Sequence, residues 1–209
     1  MNFNKLFLTF ALIILLSASL FADNWRLSTN AGYCIPVGEL TEWFKSGMEV
    51  QVGFGKNRDD DWVVEGLIIY SMFGDENLSG YADGNLDLEL KALALWANGK
   101  YTMGNFGPAA FYLDIAGGPV YWKAIRGEID ANEELTIPYI PERQLEEWNM
   151  GFRTGLGTEM TFGRFSVDAL VNYRLIIGSL WPTMQEHIEL EGVNGLQSVN
   201  INIGLFYNF

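Results

Sequence analysis

The chain has 209 residues, enough for one domain, and carries 13 basic against 26 acidic residues, a net charge of −13. That balance excludes nucleic acid as a partner, because phosphate binding needs clustered Lys and Arg. Cys34 is the only cysteine, so an internal disulfide framework is excluded as well.

At the N-terminus, Lys5 precedes an apolar run from Leu6 to Leu16, followed by the small residues Ser17, Ala18, Ser19 and Ala22. This predicts a secretory signal peptide over residues 1–22, with cleavage after Ala22, and a single barrel domain over residues 23–209. The run is too short for a spanning helix, and no later stretch approaches the length one needs. An exported chain with 14% aromatic residues and no spanning helix can still cross a membrane as a closed barrel.

Eight segments then alternate with a period of two, the signature of strands with two different environments. They are predicted at Asn24–Cys34, Gly47–Gly55, Trp62–Phe73, Leu86–Met103, Phe106–Trp122, Trp148–Phe162, Arg164–Gly178 and Gln197–Phe209. The fourth is the least regular. Leu86, Leu88 and Leu90 oppose Asp87, Glu89 and Lys91, but "ALALW" blurs the alternation and suggests a bulge. The sixth is the clearest, with Trp148, Met150, Phe152, Leu156, Met160 and Phe162 on one face and Asn149, Gly151, Arg153, Gly155, Gly157, Glu159 and Thr161 opposite.

Short links ("KNRDDD", "GN", "GR") alternate with long ones near 35–46, 74–85, 123–147 and 179–196. In an up-and-down meander this puts every long loop at one end and every tight turn at the other, the geometry of an outer-membrane barrel. Aromatic residues divide the same way. Trp25, Phe54, Trp62, Tyr101, Phe106, Phe162, Phe165, Tyr207 and Phe209 fall at the turn end, and Tyr33, Tyr70, Tyr121, Trp148 and Trp181 at the loop end. Two such belts match the two interfaces of a bilayer.

A water-soluble lipocalin-like barrel has the same period with its apolar face inward. The polar face distinguishes the two. It mixes Gly, Ser and Asn with Arg26, Glu49, Gln51, Glu65, Asp114, Arg153, Glu159, Asp168 and Arg174, and carries no strand lysine except Lys91. Opposite charges among small residues suit a confined interior, where ions must pair because desolvation is costly. The expected interior holds four cations (Arg26, Lys91, Arg153, Arg174) against seven acids (Glu49, Glu65, Asp87, Glu89, Asp114, Glu159, Asp168). It reads as a salt-bridged plug, with a narrow cation-preferring path as the sharper alternative.

No catalytic constellation is evident. His187, the only histidine, lies in an acidic loop near Glu186, Glu189 and Ser179, with no spacing that fixes a triad. Arg58–Asp61, "RDDD", lacks the spaced oxygen ligands of a calcium loop. Cys34 reads as a small apolar filler. No cofactor or metal is expected. The link 123–147 is strongly acidic and long enough to be functional, and "ERQLEEW" within it suggests a short amphipathic helix.

The last strand ends "LFYNF", with Val199, Ile201, Ile203, Leu205, Tyr207 and Phe209 on one face and Phe206 the only large apolar intruder on the other. By this ending, the strand count and the loop pattern, the chain resembles the small eight-stranded outer-membrane β-barrel proteins of the OmpA/OmpX-like group, over about residues 23–209. The resemblance implies an all-β, eight-stranded antiparallel up-and-down transmembrane barrel in a Gram-negative-type outer membrane, in contact with lipid and lipopolysaccharide. It also implies that Leu205, Tyr207 and Phe209 form the signal read by the barrel-assembly machinery. The expected role is non-enzymatic, structural or surface-interactive through the acidic outer loops, for a monomer whose extracellular partner the sequence does not identify. A narrow passive channel for small cations or small hydrophobic solutes is the alternative, and a lipid-modifying enzyme a third.

Overall fold

A computed structural model describes residues 24–58, 61–73, 88–128, 139, 141–180 and 193–209. Eight strands form a closed antiparallel barrel in sequence order: β1 (Trp25–Val37), β2 (Gly47–Asn57), β3 (Trp62–Phe73), β4 (Leu88–Phe106), β5 (Ala109–Arg126), β6 (Arg143–Phe162), β7 (Phe165–Leu180) and β8 (Val193–Asn208). β8 closes on β1 over Arg26↔Asn208 to Val37↔Gln197, so no sheet edge is left open. One helical turn, α1 (Leu40–Trp43), interrupts the strands after β1.

The alternation of the sequence becomes an inside-out barrel. Val52, Ile68, Leu95, Ile115, Leu156, Val171, Ile203 and Leu205 all face outward, and Ile203 keeps 67% of its surface exposed. Charged and amide side chains between them face inward. Outward aromatic rings meet in cross-strand pairs at both levels. At the turn end Trp25 stacks on Phe54 at 4.8 Å, Trp62 meets Tyr101 at 5.0 Å and Phe165 meets Tyr207 at 5.2 Å. At the loop end Tyr121 meets Trp148 at 5.4 Å.

Three sequence expectations change. The β4–β5 turn is Gly107–Pro108, three residues beyond "GN". A register shift between Thr102 and Gly104 lets β4 run on to Phe106, and Gly107 supplies the left-handed φ of +61°. "ERQLEEW" is strand: Arg143 to Trp148 pair with Arg126 to Tyr121, because the wall of β4, β5 and β6 rises beyond the loop-end aromatics. Leu145 faces inward there, and Gln144 and Glu146 on either side are exposed on the outer face.

The third change is in β4, where the faces are the reverse of those expected. Leu88 and Leu90 point into the barrel at 2% exposure, whereas Glu89 and Lys91 point outward and pair with each other. Above the bilayer level the outer face meets water, so charge belongs outside and the leucines form the cap of the core. Asp87 lies outside the described residues, as do residues 1–23, Trp181 and His187.

Candidate functional site in the barrel lumen

The lumen is built in two unlike parts. Its outer part is apolar: Phe73, Leu88, Leu90, Ala124 and Trp122 line it, and α1 inserts Leu40 and Trp43 with the following Phe44 into the mouth. Phe44 and Phe73 rings lie 6.1 Å apart, and Phe44 is 1% exposed. Among the described residues this end is closely packed, and a void of about 10 Å³, roughly the room one water needs, lies beneath α1.

Below the cap, the β3–β5 side stays apolar through Leu67, Ile69, Ala94, Trp96 and Val120. Trp96 fits because Gly118 and Gly151 face it: an added Cβ would come within 3.0 Å and 2.7 Å of its indole. Arg153 stands over the same ring at 6.0 Å. The other wall is a polar chain running across the barrel. Asp114 takes two hydrogen bonds from Arg153, at 2.8 Å and 3.3 Å, and Arg153 donates a third to Gln51 Oε1 at 2.9 Å. Gln51 then donates to Glu49 Oε1, and Arg174 Nη1 to Glu49 Oε2, both at 2.5 Å. Asn202 and Cys34 complete the donors around Glu49.

This saturation offsets the desolvation of the buried groups, since each has both an opposite charge and hydrogen bonds. Cys34 sits between Glu49 and Arg174 at 3.6 Å from each. It is a small buried filler with a polar function, donating to one and accepting from the other.

The turn end is also charged. Arg26 lies between Glu65, 3.0 Å away, and Glu159, 2.9 Å away. Lys100 approaches Asp168 at 3.7 Å, and the Tyr112 hydroxyl donates to the other oxygen of Asp168 at 2.5 Å. Lys100, which sequence reasoning missed, replaces Lys91 as the fourth inward cation of the polar region. The interior of that region thus holds Arg26, Lys100, Arg153 and Arg174 against Glu49, Glu65, Asp114, Glu159 and Asp168. Phe206, the intruder of the last strand, lies under two of these cations, 4.1 Å from the Arg26 guanidinium and 4.3 Å from the Lys100 ammonium. Its anomaly in the sequence was the available signal.

Leu205 faces outward, and Tyr207 and Phe209 are half-buried with their rings 5.0 Å apart. The Phe209 amide donates to Trp25 at 2.9 Å, which ties the chain end to the start of β1. Of the other candidate residues, Ser179 lies in β7, the side chains of Glu186 and Glu189 fall outside the described residues, and no metal-binding group occurs among the described ones.

Comparison with solved structures gives the architecture a context. Neisserial surface protein A, from Neisseria, superposes with a TM-score of 0.55 at 14% identity, over 90% of this chain and 98% of that one. A major outer membrane protein of Thermus thermophilus gives 0.54 at 12% identity, over 90% of this chain and all of its own length. The fold is that of the small eight-stranded outer-membrane β-barrels. No protein-family model and no curated protein matches the sequence. At these identities the likeness is one of fold alone.

Proposed function

We propose that this chain is an exported outer-membrane barrel with a closed lumen and no enzymatic activity, acting structurally or through contacts made by its outer end. The observation that carries this reading is the lumen itself. A conducting barrel keeps a continuous wet path, yet here an apolar cap sealed by Leu40, Trp43 and Phe44 sits above a chain of directly paired ions. Ions held this way are satisfied by one another, and a passing cation would have to break those pairs in a low-dielectric interior.

The outward apolar band, with aromatic rings at both ends, supports contact with lipid, and the long loop end supports exposure on the cell surface. Lipopolysaccharide then surrounds the outer wall. The acidic residues of the link after β5 are the surface offered to an extracellular partner. Leu205, Tyr207 and Phe209 serve as the assembly address in this reading, and the barrel works as a monomer.

Single-channel recording in planar bilayers tests it. Silence at all voltages fits a closed lumen, and steady cation-selective steps would replace this reading with a transport role.

A further inference from the structure

Among the described residues the outer mouth is closely packed and the turn end is open. A cavity of about 340 Å³ enters the lumen there, lined among others by Arg26, Lys100, Thr102, Tyr112, Glu159 and Thr161. Its volume lies at the small end of the range for small-molecule sites. We propose that this vestibule binds a small zwitterion, with Lys100 taking its carboxylate and Glu159 its ammonium.

Lys100 supplies the first pole. Its side chain is 95% buried, yet the ammonium makes no hydrogen bond among the described residues. Asp168 stands at 3.7 Å, an ion-pair separation rather than a hydrogen bond. The faces of Tyr112 and Phe206, at 4.7 Å and 4.3 Å, attract the charge without satisfying its three donors. The ammonium opens onto the cavity with its hydrogen-bonding capacity unused by the protein, and a carboxylate entering there would take it up.

Glu159 supplies the second. One of its oxygens accepts from Arg26 at 2.9 Å, and the other accepts nothing among the described residues. Arg26 is shared with Glu65, so three carboxylates at this end (Glu65, Glu159, Asp168) face two cations (Arg26, Lys100). The surplus charge is negative, and Glu159 is the most exposed of the three.

These charges select among ligand classes. A bare anion is repelled by the surplus acid, a bare cation pairs with Glu159 but gives Lys100 no acceptor, and an apolar solute is disfavoured by the polar lining. A molecule carrying both poles pairs each with its opposite, in a site where partial burial strengthens both attractions. The Thr102 and Thr161 side chains add hydroxyl partners at the rim. A free α-amino acid with a small side chain is the simplest member of this class.

The test uses the full barrel in lipid nanodiscs, with glycine as the probe and acetate and methylammonium as probes of one pole each. Saturable shifts of the Thr102 and Thr161 amide resonances with glycine, and binding at least about tenfold weaker for either half-probe, are expected. Lys100→Met should weaken glycine about tenfold and tighten methylammonium, which then no longer meets the Lys100 ammonium. Should that variant fail to fold, the half-probe comparison on the unaltered protein decides alone. Half-probes that bind as well as glycine, or glycine that shifts neither amide, would overturn the proposal.

Discussion

The Arg26 guanidinium carbon lies 4.1 Å from the centroid of the Phe206 ring, on the floor of the lumen and between Glu65 and Glu159. One aromatic ring thus underlies the cations of this ion cluster, with Tyr112 beside it. Lys100 shares the same ring at 4.3 Å. Replacing Phe206 by Leu keeps the site apolar and removes the quadrupole under both cations. The expected loss is about 2 kcal/mol, the scale of a desolvated cation–π contact, in reversible urea unfolding from lipid vesicles. A change within error would mean that Phe206 acts only by filling volume.

The polar chain across the barrel predicts a larger effect. Arg174→Met leaves Glu49 with its charge and without its 2.5 Å partner, so the variant should lose about 3–5 kcal/mol. Pairing it with Glu49→Met should recover part of that loss. A double-mutant cycle measures the coupling, and zero coupling would show that Gln51 and Asn202 suffice to hold Glu49.

The cap and the ion chain close the lumen in series, and they can be separated. Trp43→Ala should cost about 3–5 kcal/mol, because Trp43 is 7% exposed in the apolar mouth. It should still leave the barrel electrically silent, since Arg153, Gln51, Glu49 and Arg174 remain linked beneath it. Conductance in this variant would locate the seal in α1 alone.

Outward positions test the placement in lipid. Val171 is 52% exposed in the middle of β7, and an Arg there should cost roughly 2–4 kcal/mol. Ile125 faces outward beside Glu89 and Gln144, high on β5, and Ile125→Arg should cost about 0–1 kcal/mol. Equal costs at the two sites would contradict the assigned water level.

Phe209→Ala removes the outermost ring of the Tyr207–Phe209 pair but keeps the amide that holds Trp25. If the terminal aromatics are read during assembly, the variant should accumulate less heat-modifiable barrel in the outer membrane while refolding normally from denaturant. Loss of both together would make Phe209 a stability residue instead.

Strand number, barrel closure and the inside-out arrangement were legible in the sequence because a period of two persists wherever one face meets lipid. The reading failed where that condition ends. In "LELKALALW" both faces carry leucine or alanine, and nothing local says that the wall has passed from lipid to water between Leu93 and Lys91. The alternation alone thus puts Lys91 inside, whereas the structure has it outside. Likewise "ERQLEEW" satisfies a helical spacing and a strand spacing equally, and only its pairing with Lys123 and Tyr121 decides. The vestibule was not legible at all, since Arg26, Lys100 and Glu159 come from three strands whose register no single segment encodes.

The length of β6 sets a distance. Twenty residues at a strand rise of about 3.3 Å, tilted by about 40°, climb roughly 50 Å, whereas the apolar band of such barrels is about 25 Å tall. On the proposed placement, β4, β5 and β6 stand well clear of the lipid as a continuous hydrogen-bonded wall. The acidic link between β5 and β6 is therefore carried on a stiff mast, above the headgroups and into the sugar layer of the cell surface. A partner meeting it there need not order the stem, whose strands are already paired.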